Sequence, residues 1–346
     1  MKQIQLVKPG GLENLSFVDA PKPVPRSNEV VVKVGASSLN YHDLLVANGS
    51  IPTEDGRIPL SDCGGTVVEV GSEVSKWKVG DLVMSCPYPD WIYGPPKREL
   101  MGFIGDNSNG YATEFISVPE TSLLRIPKGW SLEEAATLPC AGLTAWVSLV
   151  ECGKLRAGET VLVQGTGGVS IFALQLAKAF GAKVIATSSS EEKLEKLKQL
   201  GADHVINYRT NPKWGKEVLK LTNNKGVDHV VEVGGGATFN QSVRATRLGG
   251  HIAIIGVLSG PAASNVVLPS IFAKLIRLSG VAMGNHTQQQ AMIEFLDNSD
   301  IRPIISHRFP LSALGNAFQH QIDHKHFGKV SITVDKDTAG FRSANL

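Results

Sequence analysis

The sequence predicts an α/β protein in which a doubly wound parallel sheet is joined to a β-rich domain. Three observations lead there. A chain of 346 residues exceeds the size at which one hydrophobic core stops growing, so two domains are expected. The first third alternates apolar with polar or small residues at Val30, Val32 and Val34, and sets Val68, Val70 and Val74 around a turn at Gly71-Ser72. From Thr160 onward, short apolar runs alternate with helical patterns at the spacing of βαβ units.

In the front part, Gly110–Val118 reads as a strand stopped by Pro119. Between Ser85 and Asn109 lies a stretch rich in Pro, Gly and aromatics, among them Tyr88, Trp91, Tyr93 and Phe103. An ordered loop of that length points to function. The character changes after about Pro127. Strands of the parallel sheet are read at Thr160–Gln164, Lys183–Thr187, His204–Tyr208, His229–Val233, Ile252–Ile255 and Gly280–Met283. The helix after the first strand sets Val169, Phe172, Ala173, Leu176, Ala177 and Phe180 on one face and closes at Gly181. Six such strands imply right-handed crossovers and double winding. The remainder, from about Gly284, holds Phe309-Pro310-Leu311 and a closing strand over Gly328–Val334, expected to fold back onto the first domain. The expected division is therefore 1–126 with 284–346, and 127–283. There is no internal repeat beyond the βα alternation.

Composition narrows the function class. At 42% hydrophobic and 19% charged, the chain is an ordinary globular protein, and its 36 Gly and 18 Pro form no low-complexity run. A net charge of +2 supplies no footprint for nucleic acid. Lys193, Lys196 and Lys198 are interleaved with Glu191, Glu192 and Glu195, the pattern of a solvated helix face. Cys63, Cys86, Cys140 and Cys152 form no C-x-x-C pair, so neither a zinc ribbon nor a dithiol motif is offered, and a reduced intracellular protein is expected. Met1–Leu6 alternates polar and apolar residues without a signal-peptide core, and no stretch approaches the ~20 apolar residues that span a bilayer. A cytoplasmic protein without a membrane partner is the expectation.

Gly165-Thr166-Gly167-Gly168 follows the apolar strand Val161–Gln164 and opens the amphipathic helix at Val169. In that setting Gly165 permits the turn, Gly167 lets backbone approach a phosphate, and helix N–H groups face the pyrophosphate. The third fingerprint position is Ser170, giving G-x-G-x-x-S. A plain structural turn is the alternative, and the strand–loop–helix placement favours a dinucleotide. An NAD site places Asp or Glu at the end of the second strand. Here that end is Ser188, followed by Ser189 and Ser190, with Lys193 beyond. Hydroxyls and an ammonium suit a 2′-phosphate, so NADPH is the expected cofactor, with Tyr208 and Arg209 as further contacts. Ser188 also fits a helix N-cap with Glu191 completing a capping box, and the two roles are compatible.

These motifs, with Ala135–Ala145, Leu200–Asp203, Val34–Asp43, Gly65–Gly71 and Lys78–Val83, make nearly the whole chain resemble the medium-chain dehydrogenase/reductases. The resemblance implies a GroES-like catalytic domain, a Rossmann domain, and nicotinamide and substrate held in a cleft between them. It also locates the family's zinc ligands. The first position matches Asn40, the second Ser61, and only the third, Cys140, keeps its residue type. One thiol with an amide and a hydroxyl is a poor set for zinc. Residues 86–110 hold only Cys86 where a structural zinc needs four cysteines. No metal is expected, with His42 a remote substitute ligand. What remains is similar to the quinone oxidoreductase branch, which carries Asn at the position of Asn40 and reduces quinones or activated alkenes with NADPH. Thr166, Ser170 and a longer loop around Trp91 depart from that branch.

The resulting expectation is hydride transfer from NADPH to a quinone, an enone or enal, or another activated carbonyl compound. Asn40, Tyr41 and His42 are the candidate hydrogen-bond or proton donors, with a structural turn the other reading of His42. Asp43 is expected to cap the following helix. Tyr88 and Trp91 form either a lid over a flat substrate or ordinary packing. The resemblance places carboxamide contacts at Val233, Gly234 and Gly235, at Gly256 and Val257, and at Val281 and Met283, with Thr144 and Lys329 nearby. It also implies a homodimer joined through the sheet edge near residues 257–282. An alcohol dehydrogenase or carbonyl reductase is the alternative. A non-catalytic NADPH-binding role, as in relatives that serve as crystallins or bind RNA, is another.

Overall fold

The computed structural model describes residues 1–260, 266 and 268–339, with only the backbone of residues 338 and 339. The chain divides into two compact units, Met1–Leu143 with Met283–Leu346, and Thr144–Ala282. The first boundary lies later than expected from composition. Leu132–Ala135 packs against the strands of the first unit, and its Ser131 N-cap accepts from the Glu134 N–H. A Cβ on Gly64 would lie 1.9 Å from the Leu132 carbonyl, so the approach is close. The segment stays with the first unit because it is packed there, although its sequence is helical.

The first unit is built on a seven-stranded sheet. Its path runs Ile305–Pro310, Lys329–Thr333, Glu29–Ser38, Gly64–Val70, Leu82–Ser85 and Leu123–Arg125, and Phe115–Pro119 also pairs with Glu29–Ser38. Lys329–Thr333 runs antiparallel to Glu29–Ser38, through Ser331–Ser38 and Thr333–Ala36, which brings the C-terminal segment back to the first domain as expected. The alternating Val30, Val32 and Val34 are fully buried and pack with Cys63, Val67 and Tyr111. The expected strand over Gly110–Val118 is shorter. Gly110, Tyr111 and Ala112 donate their N–H groups to the carbonyls of Ile58, Leu60 and Pro59 instead, so strand pairing starts only at Phe115.

The second unit is a six-stranded parallel sheet in the order His204–Asn207, Lys183–Ser188, Thr160–Gln164, Val227–Glu232, Thr246–Ile254, Arg277–Gly280. This is the doubly wound Rossmann order, whose direction switches between Thr160–Gln164 and Val227–Glu232. The fourth strand begins two residues earlier than expected, at Val227, and the last two differ more. The fifth begins at Thr246 rather than Ile252, and the sixth ends at Gly280, where it was expected to start. The register His251–Arg277 through Ile254–Gly280 sets that ending, because Ile254 is the last residue of the partner strand. The helix Gly168–Ala179 buries Ile171 and Leu174 as well as Phe172, Ala173, Leu176 and Ala177, so its contact face is wider than one stripe. Gly181 follows it at φ +74°, the left-handed conformation in which its N–H closes on the Lys178 carbonyl at 2.9 Å.

Candidate active site

In the parallel unit, the ends of three adjacent strands converge. The Gly165 N–H donates to the Thr187 carbonyl at 2.8 Å, and the Tyr208 N–H donates to the Ser188 carbonyl at 3.1 Å. Gly165 (φ +71°) needs glycine for its conformation. Gly167 does not: its φ of −77° and ψ of 177° suit any residue, and a Cβ there would meet no protein atom within 4 Å. The fold itself therefore makes no demand for glycine at 167, and close approach of a ligand is what the missing side chain permits. The first-turn N–H groups beyond it lack intrahelical acceptors, as at any helix start. Ser170, which breaks the three-glycine pattern, is buried and donates its hydroxyl to the Gln164 carbonyl at 2.6 Å. It ties helix to strand, the contact a third glycine makes by proximity. These residues fit a dinucleotide.

Around the expected 2′-phosphate position, Ser188 is buried at the strand end and Tyr208 is exposed. The N-cap of the helix Glu191–Gln199 is Ser190, whose Oγ accepts from the Lys193 N–H at 3.4 Å, rather than Ser188. Glu191 accepts from Asn207 Nδ2 and completes no capping box with Ser188. The cap moves because the strand continues through Ser188. Ser189 and Lys193 are half-buried, and burial lowers the pKa of the Lys193 ammonium from its ordinary value.

The switch point carries a carboxylate that pattern reading missed. Glu232 is fully buried at the end of its strand. It accepts from Gln164 Nε2 (2.8 Å), the Gly234 N–H (2.8 Å), the Gly235 N–H (2.9 Å), Thr238 Oγ1 (2.6 Å) and the Ser242 hydroxyl. Five donors hold the turn that contains the expected contacts Val233 and Gly234. The Gly256 N–H is directed to the Glu232 carbonyl (3.3 Å), while Val257 is exposed. Val281 donates its N–H to the Ile254 carbonyl at 2.9 Å, and Thr144 is buried with its carbonyl accepting from Ser148 Oγ. An acidic residue ending an apolar strand beside Gly234-Gly235 was the available signal for Glu232.

In the first unit, the residues matching the zinc-ligand positions sit in a different kind of site. Asn40, which precedes the helix Tyr41–Ala47, donates from Nδ2 to Asp62 Oδ2 (2.9 Å) and Ser61 Oγ (3.4 Å). Its Oδ1 accepts from Lys329 Nζ at 2.6 Å. Lys329 also donates to the Leu39 carbonyl (2.8 Å) and to Asp62 Oδ2 (3.3 Å). Asp62 further accepts from Ser38 Oγ (2.6 Å) and the Cys140 N–H (3.0 Å). Lys329 is thus engaged on all three N–H donors inside this network. The position holds an ammonium paired with a buried carboxylate, as burial of charge requires. Burial, with Asp62 adding to it, pushes the Cys140 thiol well above its ordinary range, so it stays protonated. Among the described residues, no three His, Cys, Asp or Glu side chains are placed to hold a metal ion. Asp62 was missed in the sequence because its importance comes from Lys329, a partner far along the chain.

Asp43 is buried within the helix it caps, accepting from the Asn40 N–H (2.9 Å) and the Ser61 N–H (3.0 Å). Burial, with Asp62 nearby, raises its pKa to about 6. Tyr41 is exposed. His42 is part-exposed, with Nε2 2.9 Å from Asp106 Oδ2 and its ring edge-on to Phe103 at 4.4 Å between centroids. Tyr88 and Trp91 are buried and pack with Phe103, Leu100, Met101 and Met283. Met283 adopts φ +54° there.

The comparisons agree with this architecture. Residues 26–128 match the alcohol dehydrogenase GroES-like domain, and residues 168–298 match the zinc-binding dehydrogenase domain. The chain is 36% identical to a zinc-type alcohol dehydrogenase-like protein of Schizosaccharomyces pombe, over 93% of this chain and 98% of that protein. It is 31% identical to an acryloyl-coenzyme A reductase of Sulfurisphaera tokodaii (94% and 98% covered) and 31% to a chloroplast envelope quinone oxidoreductase homolog of Arabidopsis thaliana (93% and 95%). Among solved structures, a putative alcohol dehydrogenase from Sinorhizobium meliloti aligns with a TM-score of 0.89 at 38% identity, covering 96% of this chain and 98% of that one. An NAD-dependent alcohol dehydrogenase aligns at 0.89 and 34% (97% and 100% covered), and a mycobacterial protein complexed with NADPH at 0.81 and 29% (96% and 100%). With a GroES-like sheet, a Rossmann sheet and full-length relatives, the chain belongs to the medium-chain dehydrogenase/reductase family, in its quinone oxidoreductase-like branch.

Proposed function

We propose that this protein is an NADPH-dependent reductase of quinones, enones, enals or related activated carbonyl compounds that works without a metal ion. One observation carries the reading: the Asn40–Asp62–Lys329 network, in which a buried ammonium is the resident cation where the family's zinc ligands are matched. Asn40 Oδ1 accepts from that ammonium and Nδ2 donates to the carboxylate, so the amide is oriented by the ion pair. When bound, NADPH supplies the hydride. The chain's own residues hold it and steady the charge that develops on the acceptor. Thr166–Val169 offer backbone N–H groups, and Gly167 open space, to the pyrophosphate. Ser188, Ser189, Tyr208 and Lys193 give the 2′-phosphate hydroxyls and a cation, with no carboxylate at the strand end to repel it. Lys329 fixes the amide of Asn40 so that Nδ2 is its donating end, and Tyr41 and His42 lie next in sequence as further donors. The names of the acryloyl-coenzyme A reductase and quinone oxidoreductase relatives support an activated alkene or quinone as acceptor.

The test is NADPH and NADH oxidation against a panel of quinones, enals, enones and simple ketones, with the metal content of the purified protein measured in parallel. Turnover of a quinone or conjugated acceptor at negligible metal content is expected. Metal-dependent oxidation of simple alcohols would favour the alcohol dehydrogenase reading suggested by other relatives. Tight NADPH binding without turnover would favour the non-catalytic one. We also propose a homodimer. Among the described residues the outer strand Arg277–Gly280 has no neighbouring strand on one side, and Leu248, Leu268, Phe272, Leu275 and Leu278 are exposed. Residues 261–265 and 267 of the expected edge lie outside the described residues. Light scattering should return twice the 37.0 kDa chain mass.

A further inference from the structure

We propose that Asp106 is a positioning residue for His42 and that the pair delivers the proton completing substrate reduction; this rests on the reductase reading above. The two residues lie 64 positions apart and meet at 2.9 Å, His42 Nε2 to Asp106 Oδ2. Asp106 is set in a rigid turn. Phe103 donates its N–H to Asn107 Oδ1 (2.9 Å), Asn107 returns one to the Phe103 carbonyl (3.0 Å), and Gly105 bonds the Ser108 carbonyl (3.0 Å). At Gly105 (φ +96°) a Cβ would lie 3.2 Å from the Leu60 backbone, so the turn is seated close against the neighbouring segment. Phe103, from the same turn, braces the imidazole edge-on and is itself packed on Tyr88 at 5.5 Å. The carboxylate side chain is 11% exposed and the imidazole 31%, so the partner is sheltered while the ring is reachable.

With Nε2–H directed to Asp106, Nδ1 is the ring atom left for substrate; among the described residues it makes no hydrogen bond. The imidazolium form then carries an Nδ1–H. As hydride adds to a carbonyl carbon, or to the β-carbon of a conjugated acceptor, negative charge develops on oxygen or the α-carbon. The Nδ1–H bond breaks and an O–H or C–H bond forms there. The neutral imidazole regains its proton from water, and NADPH is the two-electron reductant. Asp106 holds the ring orientation by accepting its Nε2–H.

The test uses the full chain and three variants: His42→Gln, Asp106→Asn and Asp106→Glu. Loss of a general acid lowers rates by roughly 10²–10⁴, and that range is expected for kcat of H42Q. D106N is expected to lower kcat at least about tenfold, within the same mechanism, with the KM for NADPH and the melting temperature unchanged. D106E should recover part of kcat. Independently of turnover, proton NMR of the cofactor-free protein should show a downfield, exchange-protected imidazole N–H that disappears in H42Q and D106N. Wild-type kcat in D106N, or no such resonance in the wild type, would overturn the proposal. If the resonance is present but the wild type reduces no acceptor, the reductase reading falls, and proton delivery with it, leaving a structural pair.

Discussion

Replacing Lys329 with Met removes an ammonium that three acceptors surround at 2.6, 2.8 and 3.3 Å, in a site where Lys329 is 3% exposed and Asp62 fully buried. Met keeps the length and apolar stem of lysine, so the change is chiefly electrostatic. Breaking a buried ion pair from one side destabilises by about 3–5 kcal/mol, because the remaining charge has no counterion. Here Asp62 keeps the hydrogen bonds from Ser38 Oγ, Asn40 Nδ2 and the Cys140 N–H, which places the expectation at the low end, about 3 kcal/mol. For a unit of this size that corresponds to a melting shift of roughly 6–12 °C, measured by calorimetry. The double variant Asp62→Asn/Lys329→Met separates the causes: removing both charges should destabilise less than the sum of the single losses. A loss below about 1 kcal/mol for K329M, or strict additivity in the cycle, would refute the claim that these charges hold each other.

Gly167→Ala should leave the melting temperature of the cofactor-free protein within a degree or two, since its Cβ meets no protein atom, yet weaken NADPH binding at least about tenfold by fluorescence titration. Lys193→Ala is expected to weaken NADPH binding by ~1.5–3 kcal/mol and NADH binding much less; equal losses would refute the 2′-phosphate assignment. His251 supplies a pH signature. Burial, with His229 and Arg277 nearby, lowers its pKa from 6.5 to about 4. The folded state resists its protonation, so the associated stability is full above pH 6.5 and is lost as pH falls through about 4. Urea denaturation at several pH values should show this slope in the wild type and a flatter one in His251→Asn.

Much of the parallel unit was legible because its information is local. A run such as Val161–Gln164 and the periodic Phe172, Ala173, Leu176 and Ala177 carry their periods within a few residues, and Gly165–Gly168 between them is a contiguous loop. Element ends were less legible, since the strand Arg277–Gly280 stops where its neighbour stops. The same holds for Leu132–Ala135, whose helical pattern does not say which sheet it will cover.

By itself the sequence determined the fold class, the glycine loop Gly165–Gly168 between strand and helix, the amide and hydroxyl at Asn40 and Ser61, and the absence of a carboxylate at Ser188. Each of these depends on residue type at a position set by neighbours in the chain. Only the tertiary structure decided that Lys329 faces Asn40 and Asp62, that Asp106 meets His42, and that Glu232 gathers Gln164, Ser242 and the Gly234 turn. Lys329 lies far in sequence from Asn40, Asp106 from His42 and Gln164 from Glu232, and a buried charge leaves no periodic trace. Its partner is chosen by folding, which must pair every charge it removes from water.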